Sequence, residues 1–238
     1  VRRMSLGGCA TAEGTRRYRD RLVGAGDARP DHFRSGLGGL ALSSIGLGTY
    51  LGTHDDATDA LYLTAIMQAV KAGCNVIDSA INYRCQRSER AIGRALTEMI
   101  RAGTCRRDEV LIATKGGFIP YDGAPPRDGY AYVQKTFVMP GIFHPSDVVA
   151  DCHCMTPTYL RHQINASLAN LELACLDVYY LHNPETQLGQ VSREEFMARM
   201  RAAFTTLEEA VAQGKLRLYG TATWDGYRVP ARAKGHLS

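Results

Sequence analysis

Short apolar runs alternate with amphipathic stretches from residue 40 onward, and this alternation narrows the fold more than any other feature. "SSIGLGTYLG" is a brief apolar run broken by Gly, and "ATDALYLTAIMQAVKAG" after it reads as a helix with Leu61, Ala65, Ile66, Ala69 and Val70 on one face. "CNVID" is a buried strand. "SERAIGRALTEMIRAG" is a helix that turns Ala91, Ile92, Ala95, Leu96 and Met99 inward and stops at Gly103. "EVLIATK" is the third strand. A helix starts again at Thr156-Pro157, with Leu160, Ile164, Leu168 and Leu171 as its stripe, and "LDVYYLH" is the fourth strand. The last helix opens on a capping box, Ser192 and Glu195, and carries Phe196, Met200, Phe204, Leu207 and Val211; "KLRLYGTATW" is the fifth strand. Near-continuous apolar strands separated by amphipathic helices predict an α/β fold, a parallel sheet with right-handed crossovers. Two architectures satisfy that pattern: an open doubly wound sheet, or part of a (β/α) barrel.

Three segments fall outside the rhythm. Residues 116–155 are rich in Gly, Pro, Asp and Tyr and show no sustained period. A connection of that length is functional or disordered, and Tyr121, Tyr130, Tyr132, Phe137 and Phe143 are expected to supply apolar walls to a pocket. Residues 1–36 hold eight Arg and no Lys against four acids, which accounts for the whole net charge of +4. They read as a partly ordered Arg-rich leader. Residues 227–238 read as a tail without a regular element, which leaves 37–226 as the body. A nucleic-acid binder would carry its basic excess on the folded body, so no nucleic-acid partner is expected. No apolar run approaches the roughly 18 residues of a membrane span, and no signal-peptide core precedes the body. The seven Cys are scattered and odd in number, which suits a reducing compartment and a cytoplasmic location. Cys152, His153 and Cys154 are too close together to fill three corners of one tetrahedral site. They read as a loop with reduced thiols, and no metal is expected.

The chemistry sits at the strand ends. The second strand stops at Asp78, the third at Lys115 and the fourth at His182, with Tyr83 just past Asp78. Ligands of parallel α/β folds bind at the carboxyl ends of strands, and neighbouring strands lie about 4.8 Å apart, so these side chains can converge. Each alone has a plainer role: a helix cap, a solvated terminus, a turn, a surface aromatic. One per successive strand is a different matter. A Lys ammonium beside a phenol is expected to lower its pKa, an Asp to hold the Lys charged, and a His to orient a carbonyl. Together they make a general acid for an oxygen on which charge develops. Hydride has to come from elsewhere, so a nicotinamide cofactor is implied.

These residues lie in a series of motifs: "IGLGT" at 45–49, "NVIDSAINY" at 75–83, "SERAIGRAL" at 88–96, "ATKGG" at 113–117, "SLANLELACLDVYYLHNPE" at 167–185 and "KLRLYGTATW" at 215–224. In this order they resemble the aldo-keto reductase family of parallel (β/α) barrels of the TIM type. The resemblance runs from about residue 34 to 226 and implies an NAD(P)H-dependent oxidoreductase. Asp78, Tyr83, Lys115 and His182 would be catalytic, with Tyr83 the acid. Gly48, Thr49, Asp78, Asn183 and Thr223 would lie around the cofactor, usually NADPH, and the substrates would be small aldehydes or ketones. The sequence departs from the family in two places. Ala222 and Thr223 stand where a Ser-Asn pair often holds the nicotinamide amide. About five of eight βα units are present, so the expected barrel is incomplete and carbonyl reduction by this chain is doubtful. The alternatives are a catalytically inactive fragment and a non-enzymatic α/β binding or scaffold protein.

Overall fold

The structure is a computed structural model that describes residues 5–237. Residues 1–4 of the predicted leader and residue 238 of the predicted tail lie outside the described residues. Among the described residues the strands are β1 (Phe33–Gly36), β2 (Leu40–Ser43), β3 (Leu47–Gly48), β4 (Val76–Asp78), β5 (Leu111–Gly116), β6 (Leu176–His182) and β7 (Leu216–Ala222). The α-helices among the described residues are α1 (Ala12–Ala25), α2 (Asp56–Lys71), α3 (Arg87–Arg101), α4 (Gly129–Val133), α5 (Pro157–Leu171) and α6 (Arg193–Ala212).

Strand order decides between the two architectures. The main sheet runs β3-β4-β5-β6-β7, all parallel. A doubly wound sheet reverses its order at a switch point. Here every crossover steps the same way, as in a barrel wall. The two faces differ accordingly. Ile77, Ile112, Tyr179 and Leu181 pack with Ile66 and Val70 of α2, Ile92 and Leu96 of α3, Leu160 and Ile164 of α5 and Phe196 and Leu207 of α6. Leu111, Ala113 and Val178 point to the other face, which corresponds to a barrel interior. The protein is thus a five-stranded arc of a TIM-type (β/α) barrel, and β3 and β7 are its edges among the described residues.

The Arg-rich segment is built into this body. Thr11 caps α1 by accepting from the Gly14 amide, and Gly26 ends the helix at φ 79°. Tyr18 of α1 is buried in the outer core and donates to the Val70 carbonyl. Arg17 and Arg21 both clasp the buried Glu109, and Arg17 also pairs with Asp108. β1 and β2 form an antiparallel hairpin, and Leu40 packs with Ala10 beneath Leu111, Ala113 and Val178. The leader therefore closes the amino-terminal mouth of the arc. Its Arg side chains are legible as charge, but their partners lie about 90 residues away, beyond any local pattern.

α3 buries all five predicted residues. Its Gly93 lets α5 approach so closely that a Cβ there would stand 2.8 Å from the Leu171 carbonyl. α2 buries only Ile66 and Val70, and its Leu61 is exposed, so the predicted stripe is wider than the buried one. Segment 116–155 holds α4 and a π-helical turn at 134–138, and its Phe137 and Phe143 stack on each other and pack on Tyr159 of α5. These two rings form a satellite core, because the α5 face beside the loop offers them a buried seat, and Phe143 also lines a cavity with Tyr121 and Tyr130. Residues 223–237 contain no helix or strand.

Candidate active site

β4, β5 and β6 carry the predicted side chains to one place. In β5, Leu111, Ala113 and Lys115 share a face, so the same alternation that buries the first two points Lys115 inward at the carboxyl end. Its Nζ donates to Asp78 Oδ2 at 2.6 Å and to the Ser79 carbonyl at 2.7 Å. The same Nζ lies 3.5 Å from Tyr83 Oη and 4.9 Å from that ring's centre. His182, the last residue of β6, meets Tyr83 edge-on at 5.7 Å between ring centres. Asp78, Tyr83, Lys115 and His182 are thus gathered into a single cleft.

Tyr83 is aimed by a strained turn. Arg84, Cys85 and Gln86 follow it with φ of 48°, 55° and 70°, the left-handed region that side chains rarely occupy. The buried Arg84 holds the turn, with Nε on the Thr53 carbonyl at 2.8 Å and Nη2 on Asp59 at 2.7 Å. Thr49 is fully buried and donates from Oγ1 to the Asp78 carbonyl at 3.1 Å and to Ser79 Oγ at 3.0 Å. It supports Asp78 from behind and presents no free hydroxyl to a ligand. Gly48 is exposed on β3 opposite Asp78, with nothing within 4 Å of where a Cβ would stand.

The electrostatics differ from the expectation that Lys115 lowers the phenol's pKa. Burial pushes Tyr83 up to about 12, and the Asp78 carboxylate adds to the rise. Desolvation of the phenol outweighs the pull of the Lys115 ammonium, whose Nζ is bound to Asp78 and lies 3.5 Å from the oxygen. Burial likewise lowers Lys115, against the pull of Asp78. Burial, with Lys115 and His153 nearby, takes His182 down to about 3. At neutral pH the site holds a protonated phenol and a neutral imidazole. Nδ1 of that imidazole is buried without a partner. A proton there would be an unpaired buried donor, so the assignment that costs less puts it on Nε2, the nitrogen left open to the cleft.

A layer not foreseen from the sequence supports His182. His153 Nε2 lies 2.8 Å from the His182 carbonyl, Gln187 Nε2 lies 2.9 Å from His153 Nδ1, and Arg199 donates to Gln187 Oε1 at 2.7 Å. The amide nitrogen can only donate, which makes Nδ1 the acceptor and leaves His153 to donate from Nε2. The ring of the Cys152-His153-Cys154 stretch is therefore a brace, and Cys154 lies buried beside Thr156. Phe118 meets both imidazoles edge-on, and Tyr50 meets Tyr83. The signal available for His153 was its short spacing to two thiols, which points to metal chemistry and not to a carbonyl 29 residues away.

Beyond β6 the predicted cofactor residues differ in availability. Asn183 sits at φ 46°, a left-handed conformation that Asn tolerates, and turns the chain away from the sheet. Thr223 donates to Glu185 and accepts from the Gly226 amide at 2.8 Å, so its hydroxyl is engaged within the chain.

Residues 44–236 match the model of the aldo/keto reductase family. The chain belongs to that family. A 6-dehydroglucose reductase from Novosphingobium aromaticivorans is 27% identical over 206 residues, 85% of this chain and 55% of that protein. A holo-form aldo-keto reductase from Bacillus halodurans superimposes with a TM-score of 0.53 at 21% identity, covering 80% of this chain and 50% of that one. A further aldo-keto reductase, complexed with NADPH, gives 0.50 at 23% identity, over 76% and 44%. The chain thus spans about half the length of such relatives. These likenesses support the barrel reading of the strand order.

Proposed function

We propose that this chain carries the acid–base half of an NADPH-dependent reductase of small aldehydes and ketones. The observation that carries the reading is the buried Lys115 ammonium bound to Asp78, with the Tyr83 phenol and the neutral His182 at its side. A bound nicotinamide would supply hydride. Asp78 and Asn183 are the residues present that would flank its ring, and the tied-up Thr49 and Thr223 hydroxyls contribute through Asp78 and the turn after β7 instead.

The chain's own side chains do the rest. His182 Nε2 donates to the substrate oxygen and fixes the carbonyl. Tyr83 gives its proton as charge grows on that oxygen, and Lys115 steadies the phenolate left behind, itself held by Asp78. Phe118 and Tyr50 bring ring edges to His182 and Tyr83. No helix among the described residues is long and apolar enough to cross a membrane. The seven free thiols support a cytoplasmic location for this chemistry.

The test uses a version of the chain extended C-terminally to the family's length, with turnover followed as loss of reduced nicotinamide absorbance on a reactive aldehyde. Tyr83→Phe lowers kcat by about 100-fold or more, the range of a lost general acid, with NADPH affinity unchanged. Equal turnover by the Phe variant would overturn the assignment of Tyr83.

A further inference from the structure

The strongest unexplained juxtaposition lies at the other end of the sheet. Cys9 Sγ and Cys175 Sγ are 3.2 Å apart, although 166 residues separate them in sequence. We propose that Cys9 and Cys175 form a reversible disulfide that staples the amino-terminal segment to the start of β6 when the chain meets a disulfide oxidant. A disulfide needs about 2.05 Å between sulfurs, so closure takes a movement of roughly 1 Å.

The backbone holds both thiols in place. Leu6 donates to the Glu172 carbonyl at 2.8 Å and accepts from the Ala174 amide at 3.0 Å, a parallel bridge just ahead of Cys9. On the other side of Cys9, the Ala10 amide donates to Asp177. Cys175 is fixed between the Ala174 bridge and the Leu176 amide, which bonds the Lys215 carbonyl at 2.9 Å. The pair is therefore set by tertiary structure on both flanks. No other two sulfurs among the described residues are within bonding reach of each other, although seven Cys are present.

Exposure orders the chemistry. Cys9 is half-buried and Cys175 is buried, and burial with the neighbouring Cys9 pushes the Cys175 thiol up to about 12. Attack begins at Cys9. Its sulfur breaks the S–S bond of glutathione disulfide and expels one glutathione thiol, which leaves a mixed disulfide on Cys9. Cys175 Sγ then attacks Cys9 Sγ and expels the second glutathione. Two protein thiols are oxidised, one glutathione disulfide is reduced to two thiols, and the two protein protons end on the glutathione sulfurs.

The bond would close a loop from residue 9 to residue 175 that contains β1 to β5, the kind of long closure that most restricts an unfolded chain. It would also lock Ala10 and the hairpin beneath the sheet, away from the cleft at the carboxyl ends. It is independent of the proposed reductase activity.

The experiment incubates the folded 238-residue chain with glutathione disulfide, quenches with acid, alkylates free thiols and maps tryptic peptides without reduction. The expected product joins peptides 4–16 and 162–193, each with a single Cys, at a mass two hydrogens below their sum, while Cys74 and Cys152 stay accessible to alkylation. The cross-linked chain shows a higher urea midpoint than the reduced chain, and dithiothreitol reverses the shift. Cys9→Ser, at a half-exposed position, keeps the fold and loses both the cross-link and the shift. Recovery of Cys9 carrying glutathione with Cys175 alkylated overturns the proposal, as does a cross-link that forms only in denatured chain.

Discussion

Asp177 shows how much one buried carboxylate can hold. Its two oxygens accept from the Ala10 amide, the Ile112 amide at 2.7 Å and Arg107 at 2.6 Å. Arg107 and Asp177 are both buried, so truncating the acid leaves a buried cation without its counter-charge, held only by the Val110 and Cys175 carbonyls, and two amides without partners. Asp177→Ala is expected to lower unfolding free energy by about 3–5 kcal/mol, read as a drop in urea midpoint; a change below about 1 kcal/mol would show that water or a shifted side chain replaces it. The two histidines of the site give a second expectation. His153 and His182 are held neutral by burial, with pKa values down to about 4 and about 3, while an unfolded His titrates near ~6.5. The unfolded state takes up their protons first as pH falls. Stability from these groups is therefore complete above about 6.5 and is lost progressively toward pH 4 and 3. Between pH 7 and pH 5 the two together should remove roughly 4 kcal/mol. Urea midpoints measured across that window check this, and a flat profile would mean the imidazoles gain solvent in the folded state.

At the scale of elements, segment 116–155 carries the clearest consequence. Three antiparallel bridges tie it to itself, Phe118 to His153, Val149 to His153 and Asp122 to Ala124, and Phe137 seats three aromatic neighbours and His162 around it. An insertion with its own core resists cleavage at its buried rings. Chymotrypsin should leave the Phe137 and Phe143 bonds intact in the folded chain. Phe137→Ala should cost about 3–5 kcal/mol and open them. Rapid native cleavage at either ring would instead mark the segment as an unstructured insertion. The loop also bears on chemistry, because His153 is its only imidazole on the His182 carbonyl. α3 and α5 illustrate the opposite case. Their contact is set by Gly93 and by an apolar stripe with a regular period, and both features can be read from residues 88–99 alone.

At the scale of the whole molecule, the arc has an open side. The residues of β7 after Leu216 are only partly buried, and Met200, Phe204 and Tyr219 line a groove beside it. Trp224 and Tyr227 are exposed just beyond. Asp78, Lys115 and His182 stand at the ends of β4 to β6 with Tyr83 in the turn after β4, while the end of β7 presents Ala222 and, just past it, a Thr223 whose hydroxyl is engaged. Hydride transfer needs the reacting atoms about 3–3.5 Å apart, and an error of about 1 Å costs on the order of 100-fold. The 238-residue polypeptide is therefore expected to oxidise NADPH with a reactive aldehyde at least about 100-fold more slowly than the version extended to the family's length. Comparable rates, abolished in both by Tyr83→Phe, would show that five strands suffice.

The run of strands and helices, and the positions of Asp78, Lys115 and His182 at strand ends, are legible in the residues alone. Both follow from period: two residues per repeat in a strand and 3.6 in a helix are local rules, and a strand's last inward side chain is fixed by the ones before it. Period left the winding open between a doubly wound sheet and a barrel; the order of motifs pointed to the barrel, and the strand order bears it out, since crossover direction is a property of the assembled sheet. Tertiary structure alone decided that burial outweighs Lys115 in setting the Tyr83 proton, because desolvation depends on what covers a group and not on what lies next to it in the chain. It gave His153 its place on the His182 carbonyl, turned the Arg-rich leader into the closure of the sheet's amino-terminal mouth, and brought Cys9 to Cys175. Those contacts join residues from 29 to 166 positions apart, and no periodicity reaches that far. Only packing, which balances burial against chain entropy over the whole molecule, selects such partners.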